Sequence, residues 1–201
     1  MIYIILILFW LPVKILFPTK IIGKKNLIKG KAIMICNHRS LLDPIILTVA
    51  MPSIRLSFMG KKELFKGKLV SWFLKSLSVF PVDREKADLT SIKHTLHLLK
   101  KEKPVVIFPE GTRNKDEQNS EMLALKNGVS MLAIKGESPI VPIYIEKKIK
   151  LFRFNKMYIG EPFDLSEFKE QKLTQPVLDE ASGKIKENIE NLKEKSLTKG
   201  K

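Results

Sequence analysis

Apolar and polar positions fall along this chain in blocks whose length and period distinguish strands from helices. Ala32–Cys36 and Pro104–Phe108 are unbroken apolar runs of strand length, the kind that is covered on both faces of a sheet. Ile54–Met59, Ser78–Val82, Pro139–Ile145 and Lys156–Ile159 read as further strands. Between them the period lengthens. Pro44–Ala50 reads as a short helix stopped by Met51-Pro52-Ser53, and Gly60 to Phe65 leads into a second helix through Trp72, Phe73, Leu74 and Leu77. Leu89, Ile92, Leu96 and Leu99 lie at helical spacing within Ala87–Lys101. Met122 to Ile134 reads as another helix ended by Gly136, and the chain is helical and charged from Asp164, with the tail Gly183–Lys201 expected to be solvated and frayed at its end. Thr19 to Lys31 reads as a connector. Strands alternating with helices of this length predict an α/β class, with a largely parallel mixed sheet flanked by helices.

The N-terminal block breaks that rhythm. Residues 1–18 carry a single charge, Lys14, yet Pro12 and Lys14 interrupt the run before it reaches the ~20 apolar residues of a membrane span. A secretory signal needs a basic start and a small-residue cleavage site, and neither is present. The segment is expected to be an apolar membrane-associating helix lying in one leaflet, with Tyr3 and Trp10 at the interface; a buried core helix is the alternative. Residues 19–201 are expected to form one domain ending in the charged helical tail, with the N-terminal helix as an appendage.

Charge narrows the partner. With 36 Lys and Arg against 21 Asp and Glu, a net charge of +15 calls for nucleic acid, an anionic membrane surface or a phosphorylated substrate. One cysteine rules out an internal disulfide, and Cys36 lies within an apolar strand, which suits a structural thiol better than a nucleophile.

The chemistry gathers where strands end. In Cys36-Asn37-His38-Arg39-Ser40-Leu41-Leu42-Asp43-Pro44 a histidine leaves a strand and an aspartate follows five positions later. On a continuous helix those side chains would stand roughly 140° apart. They meet only if the chain turns between them, and then form a candidate general base with its orienting carboxylate. Ser40 and Asp43 equally fit a capping box, with Asp43 as N-cap and Pro44 following it. After the Pro104–Phe108 run, Glu110-Gly111-Thr112-Arg113 fits either an ordinary turn or a loop in which Gly111 admits a ligand and Arg113 pairs with phosphate. Asp83-Arg84 follows a third strand, where Arg84 can equally form a surface ion pair. His94 and His97 share one helix face without further ligands nearby, so no metal site is expected. Walker, GxGxxG and GxSxG patterns are absent.

Together these residues resemble the bacterial lysophosphatidate acyltransferases, the 1-acylglycerol-3-phosphate acyltransferase family, over roughly residues 30–160. Asn37 to Pro44 fits that family's N-H-x-S-x-x-D-P signature and Phe108 to Arg113 its F-P-E-G-T-R signature. Val141-Pro142-Ile143 fits its V-P-I element, Phe80 to Arg84 its F-x-x-x-R element, and Lys61 stands at its lysine before Glu-Leu. Ser78 stands where many relatives have glycine, and the N-terminal region is shorter than the two-helix membrane module of some relatives.

The resemblance implies a glycerolphosphate-acyltransferase-like fold. It implies acyl transfer from acyl-CoA or acyl-carrier protein to 1-acylglycerol 3-phosphate, giving phosphatidate, with no cofactor and no metal. In that reading His38 is the base and Asp43 its partner, while Lys61, Arg84, Glu110, Gly111, Thr112 and Arg113 bind the substrate and Val141 and Pro142 line the acyl path. The expected partners are lysophosphatidate, the thioester donor and an anionic membrane surface at the cytoplasmic face of the cell membrane, with no nucleic acid. Glycerol 3-phosphate or another lysophospholipid is the alternative acceptor. A non-catalytic basic protein that binds lipid or nucleic acid is the rival from another class.

Overall fold

The computed structural model describes residues 10–83, 88–109 and 127–198. The chain runs α1 (residues 10–16), β1 (Thr19–Ile22), β2 (Ile33–Cys36), α2 (Asp43–Ala50), β3 (Ser57–Lys61), a 3-10 turn (Lys62–Phe65), α3 (Lys68–Ser76) and β4 (Val79–Val82). It continues through α4 (Leu89–Lys100), β5 (Val105–Ile107), α5 (Gly128–Gly136), β6 (Ile140–Ile145), β7 (Asn155–Ile159) and α6 (Gln175–Thr198). The strands form one seven-stranded sheet in the order β1-β7-β6-β2-β5-β3-β4. Among its described pairings only β6–β7 is antiparallel. The carboxyl ends of β2 to β6 therefore share one edge of the sheet, where open α/β sheets place their sites.

Strand β2 sits at the centre, and all four of its residues are buried because neighbours cover both faces. Ala32, Met34 and Cys36 face a core that takes in Ile46 and Leu47 of α2 and, more loosely, Val13 of α1 and Leu74 of α3. Ile33 and Ile35 face the opposite core, built with Leu99 of α4, Leu132 of α5 and Ile185 of α6. Period-two alternation thus sorts the helices into two layers, α1–α3 and α4–α6.

Several sequence expectations change here. The connector after Pro18 contains β1, a strand at the sheet edge pairing with β7; four residues with a lysine among them give too short an alternation to stand out. Leu89 of α4 is exposed, and the buried line of that helix is Ser91, Thr95 and Leu99. The C-terminal segment is not merely solvated: α6 runs to Thr198, the last described residue, and buries Ala181, Ile185, Ile189 and Leu192, a stripe at three- and four-residue spacing within a highly charged sequence. The described part of the N-terminal segment touches the domain that follows it. Val13 and Phe17 pack on the core, and the Trp10 indole N–H donates to the Val49 carbonyl at 3.0 Å. Leu11 and Ile15 remain exposed on its outer face. Residues 1–9 lie outside the described residues, among which no helix is long and apolar enough to cross a membrane. Ser78, just before β4, adopts φ 58°, a left-handed conformation that favours glycine.

Candidate active site

The junction from β2 to α2 is built around one carboxylate oxygen. Asp43 is fully buried, and its Oδ2 accepts the Arg39 N–H at 2.7 Å and the Ser40 N–H at 2.8 Å. The same oxygen lies 2.8 Å from His38 Nδ1. Because Oδ2 already accepts two main-chain groups, the nitrogen facing it is the donor, so in the neutral imidazole Nε2 is the acceptor. The chain thus folds back so that the aspartate grips the turn that carries the histidine. This replaces the capping-box reading. Asp43 is the first helical residue, Leu42 stands at the N-cap, and no side chain caps the helix. The Ser40 hydroxyl serves the turn instead, accepting the Leu42 N–H at 3.2 Å.

One further contact holds His38 that its sequence neighbourhood does not announce. The Phe108 ring stacks on the imidazole, with centroids 4.2 Å apart and planes 26° from parallel. Cys36 and Phe108 belong to the same core, so the residues that follow β2 and β5 emerge on a common face. Beside it, buried Asn37 clamps the end of β2 to the end of β6. Its Nδ2 donates to the Ile145 carbonyl at 3.0 Å, and the Ile145 N–H donates to its Oδ1 at 2.7 Å. A paired amide of this kind is the expected fate of a buried Asn, and its signal in sequence is only an Asn at the end of an apolar run. Arg39 turns away from the pair, resting over the Tyr144 ring 5.9 Å from its centroid.

The other predicted site residues divide three ways. Lys61 ends β3 at the same sheet edge, two strands from β2, half exposed and 3.7 Å from Glu63. Val141 and Pro142 are buried within β6, paired with Met34 and Ile35 of β2, so they lie inward of the edge. Val141 belongs to the core on the His38 face, whereas the Pro142 carbonyl accepts the Gly160 N–H at 2.8 Å. Arg84, Glu110, Gly111, Thr112 and Arg113 lie outside the described residues. On the near side of Arg84, Asp83 donates its N–H to the Asp88 carboxylate at 2.9 Å. Asp88 also caps α4 through the Thr90 and Ser91 N–H groups. Those bonds, led by that from Asp83 and then the Ser91 hydroxyl, hold the Asp88 carboxyl down at about 2. His94 and His97 are exposed on α4, with His94 edge-on to Phe80. Among the described residues no three His, Cys, Asp or Glu side chains are grouped to hold a metal.

Known proteins resemble this chain in sequence and in fold. A family model described as Acyltransferase matches residues 18–146. The 1-acyl-sn-glycerol-3-phosphate acyltransferase of Bacillus subtilis is 38% identical over 155 residues, covering 74% of this chain and 75% of that protein. The enzyme of the same name from Streptococcus pneumoniae is 26% identical over 170 residues, covering 82% of this chain and 61% of its own length. The crystal structure of PlsC, the 1-acyl-sn-glycerophosphate acyltransferase of Thermotoga maritima, superposes with a TM-score of 0.62 at 24% identity, over 87% of this chain and 72% of that one, a likeness of fold. With the family model spanning both β2 and the His38–Asp43 turn, the chain belongs to the acyltransferase family and is an O-acyltransferase.

Proposed function

We propose that this enzyme transfers a fatty acyl group from a thioester to the free hydroxyl of 1-acylglycerol 3-phosphate, with His38 as general base and Asp43 as its orienting partner. The observation that carries the reading is the 2.8 Å contact between His38 Nδ1 and a buried carboxylate, which leaves Nε2 to accept a proton. In the reaction Nε2 takes the hydroxyl proton as the oxygen attacks the thioester carbonyl. The new ester bond forms, the carbon–sulfur bond breaks, and the imidazolium returns the proton to the departing sulfur. Asp43 holds the tautomer and faces the imidazolium while it exists. Since the substrate hydroxyl is itself the nucleophile, no acyl-enzyme is needed.

Lys61, with Arg84 and Arg113, would bind the acceptor phosphate as cations, and Gly111 and Thr112 would let backbone approach it. Glu110 is better suited to a glycerol hydroxyl or to orienting a cation, because like charges repel. Val141 and Pro142 are assigned to the acyl path on motif alone. Acyl-CoA and acyl-carrier protein are both chemically competent donors, and neither needs a cofactor. The apolar N-terminal helix, with Leu11 and Ile15 outward, and the net charge of +15 support seating on the anionic cytoplasmic face of the membrane. Purified enzyme given labelled acyl-CoA with lysophosphatidate, glycerol 3-phosphate or lysophosphatidylcholine tests the reading. Transfer to lysophosphatidate at the highest kcat/KM supports it; preference for either other acceptor overturns the substrate assignment.

A further inference from the structure

Helix α3 presents an outer face that the core does not use. It buries none of its nine residues fully, and only Leu74 on its inner side joins the core. Leu69, Val70, Trp72 and Phe73 all stand in solvent, Leu69 at 80% exposure. Residues 61–76 carry five lysines against one glutamate. A short helix with tryptophan, phenylalanine and leucine outward and lysines around them matches the surface of a leaflet rather than water.

A second patch of the same composition lies on the other side of the site. The turn between β6 and β7 exposes Leu151, Phe152 and Phe154, the last two at 72% and 82%. Residues 147–156 contain four lysines and one arginine with no acidic residue. Phe152 adopts φ 55°, an uncommon conformation for an aromatic residue, and its N–H donates to the Leu16 carbonyl at 2.7 Å. The backbone is thus bound to the end of α1 while the ring stands outside.

Sheet order puts His38 between the two. β2 lies between β6, which leads into the aromatic turn, and β3, which leads toward α3. Leu41, three residues after His38, is likewise an exposed apolar side chain. We infer that α3 and the β6–β7 turn are two membrane-inserting elements for an anionic leaflet, additional to the N-terminal helix, and that they turn the sheet edge bearing His38 toward the lipid. The choice of lipid as occupant rests on charge. Both patches are strongly cationic, and tryptophan and phenylalanine beside lysine are the residues that settle at the depth of the headgroups. The consequence for the reaction rests on the proposed lysophosphatidate acceptor, which would then enter from the bilayer without crossing water.

The test uses the full chain. A Trp10→Phe background leaves Trp72 as the sole tryptophan. With phosphatidylglycerol-containing vesicles its emission should shift blue and be quenched by lipids brominated on the acyl chain; unchanged emission from vesicle-bound protein overturns the assignment of α3. Leu69→Ser/Trp72→Ser and Phe152→Ser/Phe154→Ser should each weaken partition onto those vesicles about tenfold or more, while turnover in detergent micelles stays near wild type and reports an intact fold. Undiminished partition of either pair overturns the inference for that patch. Loss of a dimer in sedimentation with partition unchanged assigns the faces to a second copy of the chain and likewise overturns it. Wild-type enzyme that partitions but transfers nothing in micelles contradicts the proposed reaction instead, and leaves the Trp72 result to be read independently.

Discussion

The imidazole of His38 lies flat against the ring of Phe108, 4.2 Å from it and 26° from parallel, so the residue after β5 fixes the histidine that follows β2. Asp43 restrains one nitrogen, and the stacked ring restrains the plane. Phe108→Leu keeps an apolar residue of similar size and removes the flat contact. The expected result is a fall in kcat of about tenfold with little change in KM, since an imidazole displaced by even ~1 Å loses its aim. Steady-state kinetics with the acceptor varied checks the split.

Asp43 holds both the base and the turn that bears it. Asp43→Asn keeps the shape and removes the charge that faces the imidazolium. By the logic of carboxylate–histidine pairs, kcat should fall by about 10²–10⁴. The two main-chain N–H donors from Arg39 and Ser40 also lose a charged acceptor, so the variant should unfold at lower urea, by about 1–3 kcal/mol. A variant with wild-type kcat would show that the contact serves the turn alone.

Lys61 is half exposed at the sheet edge, with Glu63 3.7 Å away as its ion-pair partner. If it binds the acceptor phosphate, Lys61→Ala should raise KM for the phosphate-bearing acceptor about tenfold and leave kcat near wild type, because binding lost equally from ground and transition states shows in KM. Lys61→Arg should restore most of the loss. Stability should hardly move, since an exposed pair contributes only ~0–1 kcal/mol.

The Asp88 carboxyl titrates at about 2 instead of 3.8, because the Asp83 N–H, the Ser91 hydroxyl and the Ser91 N–H all donate to it. A depressed folded-state value means that the unfolded chain binds the proton more readily. The stability due to Asp88 is therefore complete above the unfolded value and lost as pH falls toward the folded one. Asp88→Asn should unfold more easily than wild type at neutral pH, and the gap should close as pH falls through that window. Urea midpoints measured at about pH 7, 4 and 2.5 report it directly; a gap independent of pH would show that the carboxyl's charge contributes nothing.

The central strands and the site turn were legible for a common reason. Ala32–Cys36 and Pro104–Phe108 are apolar without interruption because β2 and β5 are covered on both faces. The spacing of His38 and Asp43 required a turn, and the turn exists. What the sequence hid depends on partners far along the chain. Asn37 meets Ile145, Phe152 meets Leu16, and β1 pairs with β7, none of which leaves a local period. In α6 the buried stripe of Ile185, Ile189 and Leu192 is spaced among so many charges that composition outweighed periodicity. Asp43 reads equally well as a cap or as a partner from sequence, and only the three donors gathered on Oδ2 separate the two.

The rate of acyl transfer by His38→Ala, measured beside wild type with lysophosphatidate and acyl-CoA, tests the central claim most directly. Circular dichroism and vesicle partition should match wild type, while kcat should drop by about 10³ or more, since both the base and the proton donor to sulfur are gone. Transfer at the wild-type rate by folded His38→Ala enzyme would contradict the account.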